Sequence, residues 1–145
     1  MNLSIENALH GLAELQRDRI APAIVDPFAA QMVRLSILLM KISANWVDDA
    51  AELRVEENIA IRGLLGEAAA LVDGPLADHL QEASRSRDPG LRVSALDVES
   101  HRLRNLLIQA HAAVEGRVEN LAALSLNRRI WQFLEAAEAK RAPRE

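Results

Sequence analysis

The sequence predicts an all-α fold: an antiparallel, up-and-down helical bundle with four main helices and short extra helices. Its 145 residues include 25 Ala and 22 Leu against nine Val and nine Ile, a balance that favours helix over strand. Apolar residues recur at helical spacing, and no strand-like alternation persists. The six Gly and five Pro fall near breaks in this periodicity. Length predicts one domain over residues 1–145, with 141–145 frayed.

The first predicted helix covers residues 5–20, with Ser4 as its N-cap. Pro22 ends it, because proline lacks an amide hydrogen and disfavours helical geometry in the residue before it. Asp26 then caps a second helix that has Pro27 in its first turn. The face of the first helix that is expected to point inward consists of Ile5, Ala8, Leu9, Leu12 and Leu15.

The second predicted helix carries two apolar stripes. One, called the seam below, has the 4, 3, 4, 3, 4 spacing of a coiled coil, and the second stripe follows the same spacing beside it. More than half of the circumference is therefore apolar, so this helix is expected to contact at least two neighbours and to lie centrally. The seam consists of Phe28, Met32, Leu35, Leu39, Ile42 and Trp46, and the second stripe of Val33, Ile37, Met40, Ala44 and Val47.

A third helix is expected over residues 50–72, with Asp49 as its N-cap. One unbroken helix over residues 28–72 is the competing interpretation, because neither Gly nor Pro intervenes before Gly63. The thinly apolar stretch 54–58 indicates a bend or an exposed section. The inward face of this helix is expected to consist of Ile61, Leu65, Ala68 and Val72.

The remaining pattern predicts a short helix over residues 76–85, a polar loop over 84–90 and then a long helical region. Ser94 and Asp97 resemble a capping box at its start, and Gly116 marks a kink or a break. The residues expected to point inward are Leu96, Leu103, Leu107, Ala110 and Val114, followed by Val118, Leu121, Leu124, Leu126, Ile130, Phe133 and Ala137.

Composition excludes several classes of protein. The absence of cysteine excludes a disulfide scaffold, thiolate metal sites and cysteine nucleophiles. Glu6 stands where a signal peptide would carry positive charge. Arg34 and Lys41 interrupt the apolar stretch 27–47 on one side of the helix, which argues against a membrane span. A soluble cytoplasmic protein is expected, and 15 Arg against two Lys are typical of a bacterial genome rich in G and C.

Charge is distributed unevenly along the chain, and the net charge is −4. The C-terminal third is basic, and its candidate surface for an anionic ligand or a partner consists of Arg102, Arg104, Arg128, Arg129 and Trp131. The alternative is that these arginines are solvated and paired with acids of the same region. Nucleic acid is not expected as a partner, because aromatic stacking platforms are missing and the middle third is acidic.

Two acid–histidine pairs are the metal candidates, since ligands four residues apart share a helix face. They are Asp97 with His101 and His111 with Glu115. Such pairs are common on helix surfaces, and the Glu-x-x-His motif of di-iron bundles is absent, so no metal and no cofactor is predicted. No nucleophile elbow, Walker loop or dinucleotide fingerprint is present, so no catalytic residue is assigned.

Two further features concern packing. Trp46 ends the seam and is expected in the core, whereas Trp131 is expected either in the core or at the rim of a cavity or a subunit interface. Gly63 and Gly66 lie inside a helical pattern, which suggests close packing of helices at these positions.

Residues 28–66 begin with Phe-Ala-Ala-Gln-Met-Val-Arg and end with Leu-Leu-Gly. A Phe-led apolar helix followed by an acidic helix with this ending resembles a family of uncharacterised bacterial helical proteins. Members of that family accompany aminoglycoside-phosphotransferase-like kinases and acyl-CoA dehydrogenases. The resemblance implies a link to acyl or coenzyme A metabolism, it carries no catalytic motif, and it does not extend into the Arg-rich C-terminal third.

Two functional hypotheses follow. The first is a non-catalytic interaction protein, a homodimer or a binder of another protein, that exposes a leftover apolar stripe. The second is a bundle that holds a small apolar or acyl/CoA-type ligand between its helices, with an Arg-rich mouth. The sequence favours the first.

Overall fold

The computed structural model describes residues 4–141 apart from the side chain of residue 48, and this part of the chain is all-α, as predicted. It contains no β-strand within those residues. A π-helical turn over Gln16–Ile20 and a 3-10 turn over Ala21–Ala23 follow the first helix. The five α-helices are α1 (Ile5–Leu15), α2 (Pro27–Ala69), α3 (Pro75–Arg85), α4 (Val93–Glu115) and α5 (Leu121–Arg141).

Side-chain caps fix the start of three helices, two of them as the sequence predicts. Ser4 Oγ accepts a hydrogen bond from the Asn7 amide at the start of α1, and Asp26 Oδ2 accepts one from the Ala29 amide at the start of α2. Each satisfies an amide that has no partner within the helix. Asn120 Oδ1 does the same for two amides at the start of α5.

The predicted capping box at the start of α4 is wrong. The residue that precedes the helix is Arg92, whose side chain makes no capping bond, and Ser94 lies inside the first turn. The carboxylate of Asp97 instead accepts a hydrogen bond from Arg54. The Asp97 side chain, which would have been part of the predicted capping box, is therefore engaged in an ion pair with another helix.

The interpretation of residues 28–72 as one helix is correct over most of its length, because α2 continues unbroken from Pro27 to Ala69. The stretch 54–58 is not an exposed section, since Glu57 and Asn58 are buried. These polar side chains stay buried because each has hydrogen-bond partners on other elements.

The chain divides into two compact units, one holding the described residues through Ala50 and the other running from Ala51. The second unit has an extended apolar core, and the inward positions predicted for α4 and for the end of α2 are confirmed. The fully buried large side chains of this core are Ile61, Leu65, Leu80, Leu103, Leu126, Ile130 and Val114.

The predicted inward face of α5 is only partly correct. Leu126, Ile130 and Ala137 are buried, whereas Val118, Leu121 and Leu124 are exposed. The helix begins after the Asn120 cap, so a periodicity carried across the preceding turn has the wrong phase. Arg141, predicted to be frayed, is helical and ion-paired with Glu57, and residues 142–145 lie outside the described residues.

The first unit buries much less. Among the described side chains of residues 4–47, 49 and 50, the buried ones are those of Ala13 and Ala44. A hydrogen bond from Ser36 Oγ to Gln16 Oε1, 3.0 Å long, links the π-helical turn to α2. Alanine contributes little apolar area, so this unit gains only weak stabilisation from its own packing.

Candidate interaction surface

The seam of α2 is exposed, and its predicted place in the core of the chain is wrong. Phe28 is 70% exposed, and four more seam side chains are between 42% and 53% exposed. Ile42 is half-buried. The four are Met32, Leu35, Leu39 and Trp46.

The second stripe of the same helix points inward instead. Ala44 is fully buried and Val33, Ile37 and Met40 are half-buried, although Val47 is exposed. Successive helical residues point about 100° apart, so the two stripes face different directions around the helix. A single neighbouring segment therefore covers one stripe, and the other stays exposed. The helix thus has two apolar stripes, as predicted, and within the described residues of the first unit only one of them is covered.

Helix α1 adds to the exposed apolar surface of this unit. Leu12 and Leu15 are half exposed and Ile5 is 64% exposed, which contradicts the inward face predicted for them. Ala8 and Leu9, which belong to the same predicted face, are half-buried, and the buried side chain of this helix is that of Ala13. Both helices therefore carry more apolar residues at helical spacing than the first unit buries.

Uncharged residues flank the seam on both sides. In the heptad defined by the seam, the positions immediately beside it are Ala29, Ser36 and Ser43 on one side and Gln31, Leu38 and Asn45 on the other. The nearest cations on this stretch, Arg34 and Lys41, are exposed one position further out. A second apolar helix could cover the seam without burying a charge.

Three of the arginines predicted as a binding surface are engaged in ion pairs. Arg104 donates to Glu57, and Arg129 is ion-paired with Glu67, both acids of α2. Arg102 instead donates to Glu99 and to Ser86. These arginines are paired, although with acids elsewhere in the chain rather than with those of the C-terminal third.

Arg128 and Trp131 lie on the exposed side of α5. Among the described residues no hydrogen bond or ion pair involves Arg128. Trp131 is 52% exposed, so its expected place in the core is wrong, and its place at the rim of a cavity or an interface stays a prediction. Its ring makes an edge-to-face contact with His111, with ring centroids 5.3 Å apart.

A buried polar network, which the sequence did not reveal, connects α2 with the segment after α3 and with α4. The Arg62 guanidinium, 8% exposed, donates to Asp88 Oδ1 at 2.7 Å and to Glu99 Oε1 at 2.9 Å. Asn58 donates to Asp88 and accepts from Ser100 at 2.7 Å. Every buried charge here is paired, so the network orients these elements without leaving an uncompensated ion.

Glu99 is the acid on which this network converges. It accepts hydrogen bonds from Arg102, Arg62 and Ser86, and its side chain is 13% exposed. The bond from Arg102 is the main cause that lowers the pKa of Glu99 to about 2, with that from Arg62 adding to it against the opposing effect of burial. This carboxylate stays ionised far into acid solution.

Both predicted acid–histidine pairs are engaged in other contacts. His101 Nδ1 lies 2.7 Å from the backbone oxygen of Asp97, while the Asp97 carboxylate binds Arg54. His111 Nε2 lies 2.6 Å from Asn127 Oδ1. Among the described residues, no group of three or more His, Asp or Glu side chains could hold a metal ion.

The clefts found on the second unit open to solvent and include polar walls. The cleft lined by Arg62, Gly63, Ser86 and Asp88, about 560 Å³ in volume, is bounded by the ion network itself. An acyl chain or another apolar ligand would instead need an enclosed, largely apolar cavity. The described clefts therefore give no support to the small-molecule hypothesis.

Comparisons with protein-family models, with curated proteins and with solved structures find no match to this chain. The resemblance of residues 28–66 to a family of bacterial helical proteins thus stays a prediction from the sequence. Among the described helices, none has a stretch long and apolar enough to cross a membrane.

Proposed function

We propose that this chain is a non-catalytic interaction protein that self-associates through the seam of α2. The observation that carries the proposal is the exposure of five of the six residues of a coiled-coil pattern, led by Phe28, on a helix whose other apolar stripe is mostly buried or half-buried. Such a pattern is typical of helices that pack against another helix. A second copy supplies an identical, complementary stripe.

The exposed area matches what a dimer requires. A fully exposed large apolar side chain presents on the order of 100–250 Å². At the observed exposures, the seam with Leu38 presents roughly 600 Å² of apolar surface, and the three exposed residues of α1 present roughly 200 Å² more within the same unit. Stable interfaces bury about 800 Å² per partner, whereas the largest apolar patch of a typical monomer is about 300–600 Å².

Charge also favours a second copy over a strongly charged partner. The positions beside the seam are uncharged, so two identical helices can approach without like charges meeting at the interface. A partner that binds through ion pairs would have no oppositely charged side chain to pair with at the positions beside the seam.

Sedimentation of the full chain tests the proposal. The wild type is expected to change from 16.0 kDa to twice that mass as its concentration rises. Met32→Glu with Leu39→Glu would place four carboxylates in each dimer interface, so the dissociation constant should rise at least about 1,000-fold.

A matched control separates the seam from a general effect of added charge. Val98→Glu with Ile108→Glu introduces the same charges at positions of α4 that are 72% and 66% exposed. This variant should associate like the wild type. A wild type that stays monomeric at high concentration, or a seam variant that associates like the control, would contradict self-association through the seam.

A further inference from the structure

The seam is symmetric in sequence, because similar residue types stand at equal distances from its centre. An aromatic residue stands at each end, Phe28 and Trp46, and two leucines, Leu35 and Leu39, stand at its centre. Between them Met32 mirrors Ile42, so each pair of mirrored residues belongs to one size class. The mirror point lies near Ile37, and the spacing of seam positions is itself symmetric.

The uncharged flank on the Leu38 side has the same symmetry. Gln31 and Asn45, both carboxamides, stand at equal distances from Leu38. All three residues are exposed, and Leu38 is 53% exposed. This flank therefore has an apolar centre and an amide at each end.

From this double symmetry we infer that the second copy lies antiparallel on the seam, with the two-fold axis near residues 37 and 38; the inference rests on the self-association proposed above. In this arrangement Phe28 packs beside Trp46 of the other copy, and the central leucines pack on one another. Leu38 meets its own counterpart at the axis, and Gln31 comes level with Asn45 of the other copy.

A parallel pairing uses the same residues less well. It places the two Trp46 side chains in one layer and the two Phe28 side chains in another, so that layer volumes are uneven along the interface. The flank position of one helix then faces the opposite flank of the other, which sets Leu38 against Ser43. Antiparallel helices also align their dipoles favourably.

Disulfide trapping distinguishes the two arrangements, because the chain has no cysteine of its own. In the antiparallel dimer two copies of residue 45 lie about 21 Å apart along the helix axis, far beyond the Cα separation of about 7 Å that a disulfide can bridge. Residues 31 and 45 of different copies are level.

Three single-cysteine variants are needed, each first shown by sedimentation under reducing conditions to associate like the wild type. After oxidation, and in denaturing electrophoresis without reductant so that only covalent dimers persist, Leu38→Cys should shift from 16.0 kDa to twice that mass by itself. Gln31→Cys and Asn45→Cys should each remain at 16.0 kDa alone and should form the doubled species only when mixed. Leu121→Cys, at an exposed position of α5, is the control for random collision.

The outcomes separate failure of the inference from failure of the proposed function. A chain that sediments as a monomer contradicts both. A dimer in which Asn45→Cys links to itself as readily as to Gln31→Cys overturns only the antiparallel arrangement. A dimer in which no variant links above the Leu121→Cys control also overturns it, because the axis would then lie elsewhere.

Discussion

Replacing Glu99 with glutamine should remove a large part of the acid dependence of stability in the second unit. The lowering of the pKa of Glu99 from 4.5 to about 2 means that the folded state binds a proton more weakly than the unfolded chain. The carboxylate therefore stabilises the fold above pH 4.5, and this contribution is lost as the pH falls towards 2.

The size of the effect follows from the shift. One pKa unit corresponds to about 1.4 kcal/mol, so the folded state gains on the order of 3 kcal/mol at neutral pH, of which roughly 2 kcal/mol is lost by about pH 3. We expect the Glu99→Gln variant to be less stable than the wild type at neutral pH by a few kcal/mol. The difference between the two proteins should shrink progressively on acidification.

Urea unfolding followed by tryptophan fluorescence measures this difference. The chain has two Trp and no Tyr, so a Trp46→Phe background leaves Trp131 of the second unit as the reporter. Glu135→Gln, an exposed carboxylate of α5, is the matched control and should leave the pH dependence unchanged. A Glu99→Gln variant whose deficit in unfolding free energy is the same at neutral pH and at about pH 3 would refute the role assigned to the Glu99 charge.

Three further substitutions test the packing and the helix ends of the second unit. Leu65→Ala should lower the free energy of unfolding by about 2–5 kcal/mol in urea titrations, because this side chain is fully buried. Gly63→Ala should raise it by about 0.5–1 kcal/mol, since a Cβ there would meet no neighbouring atom within 4 Å, and a lower value would indicate a contact that the structure lacks. Asn120→Ala should cost about 1 kcal/mol and lower the melting temperature, with Asn120→Asp retaining most of the cap.

The core of the second unit could be predicted from the sequence because its helical periodicity and its burial agree. Leu65, Leu103 and Ala110 recur at helical spacing and are all fully buried. The two glycines of α2, Gly63 and Gly66, were a weaker indication of how helices pack. A Cβ at Gly66 would lie 3.4 Å from Ser84 Cβ of α3, so the expected approach of another helix is correct there, whereas one at Gly63 would lie in open space and that prediction is wrong.

The polar network could not be predicted in the same way. Glu57 is ion-paired with Arg104, which is 47 residues away along the chain, and with Arg141, which is 84 residues away. The local sequence around Glu57 shows only a thinly apolar stretch. Periodicity compares neighbours within one helix, whereas these ion pairs depend on how helices are placed. The capping box at Ser94 failed for the same reason, since Asp97 binds Arg54 of another helix.

Periodicity also leaves open which molecule covers an apolar stripe. The seam pattern correctly describes a helix with two apolar stripes, but it would be identical if the covering helix belonged to the same chain or to another. Met32, Leu39 and Trp46 are exposed, so no segment within the described residues of the first unit covers this stripe. The spacing predicts the stripe and leaves its neighbour open.

The weak packing of the first unit leads to a last prediction, on the dependence of α1 on association. Among the described side chains of residues 4–47, 49 and 50, the buried ones are those of Ala13 and Ala44, so α1 has little apolar burial to offset the entropy of ordering an 11-residue helix. If two copies bury their seams, α2 becomes a firmer surface for α1 to pack on, and its local opening should become rarer.

Amide hydrogen exchange over Ile5–Leu15 should therefore slow as protein concentration rises, while exchange in the core of α4 stays constant. The seam variant with Glu at positions 32 and 39 should show fast exchange in α1 at every concentration. Slow exchange in α1 of that variant, at the rate of the concentrated wild type, would mean that α1 is stable without a partner. The exposure of the seam would then not indicate that the first unit needs a second copy to complete its apolar core.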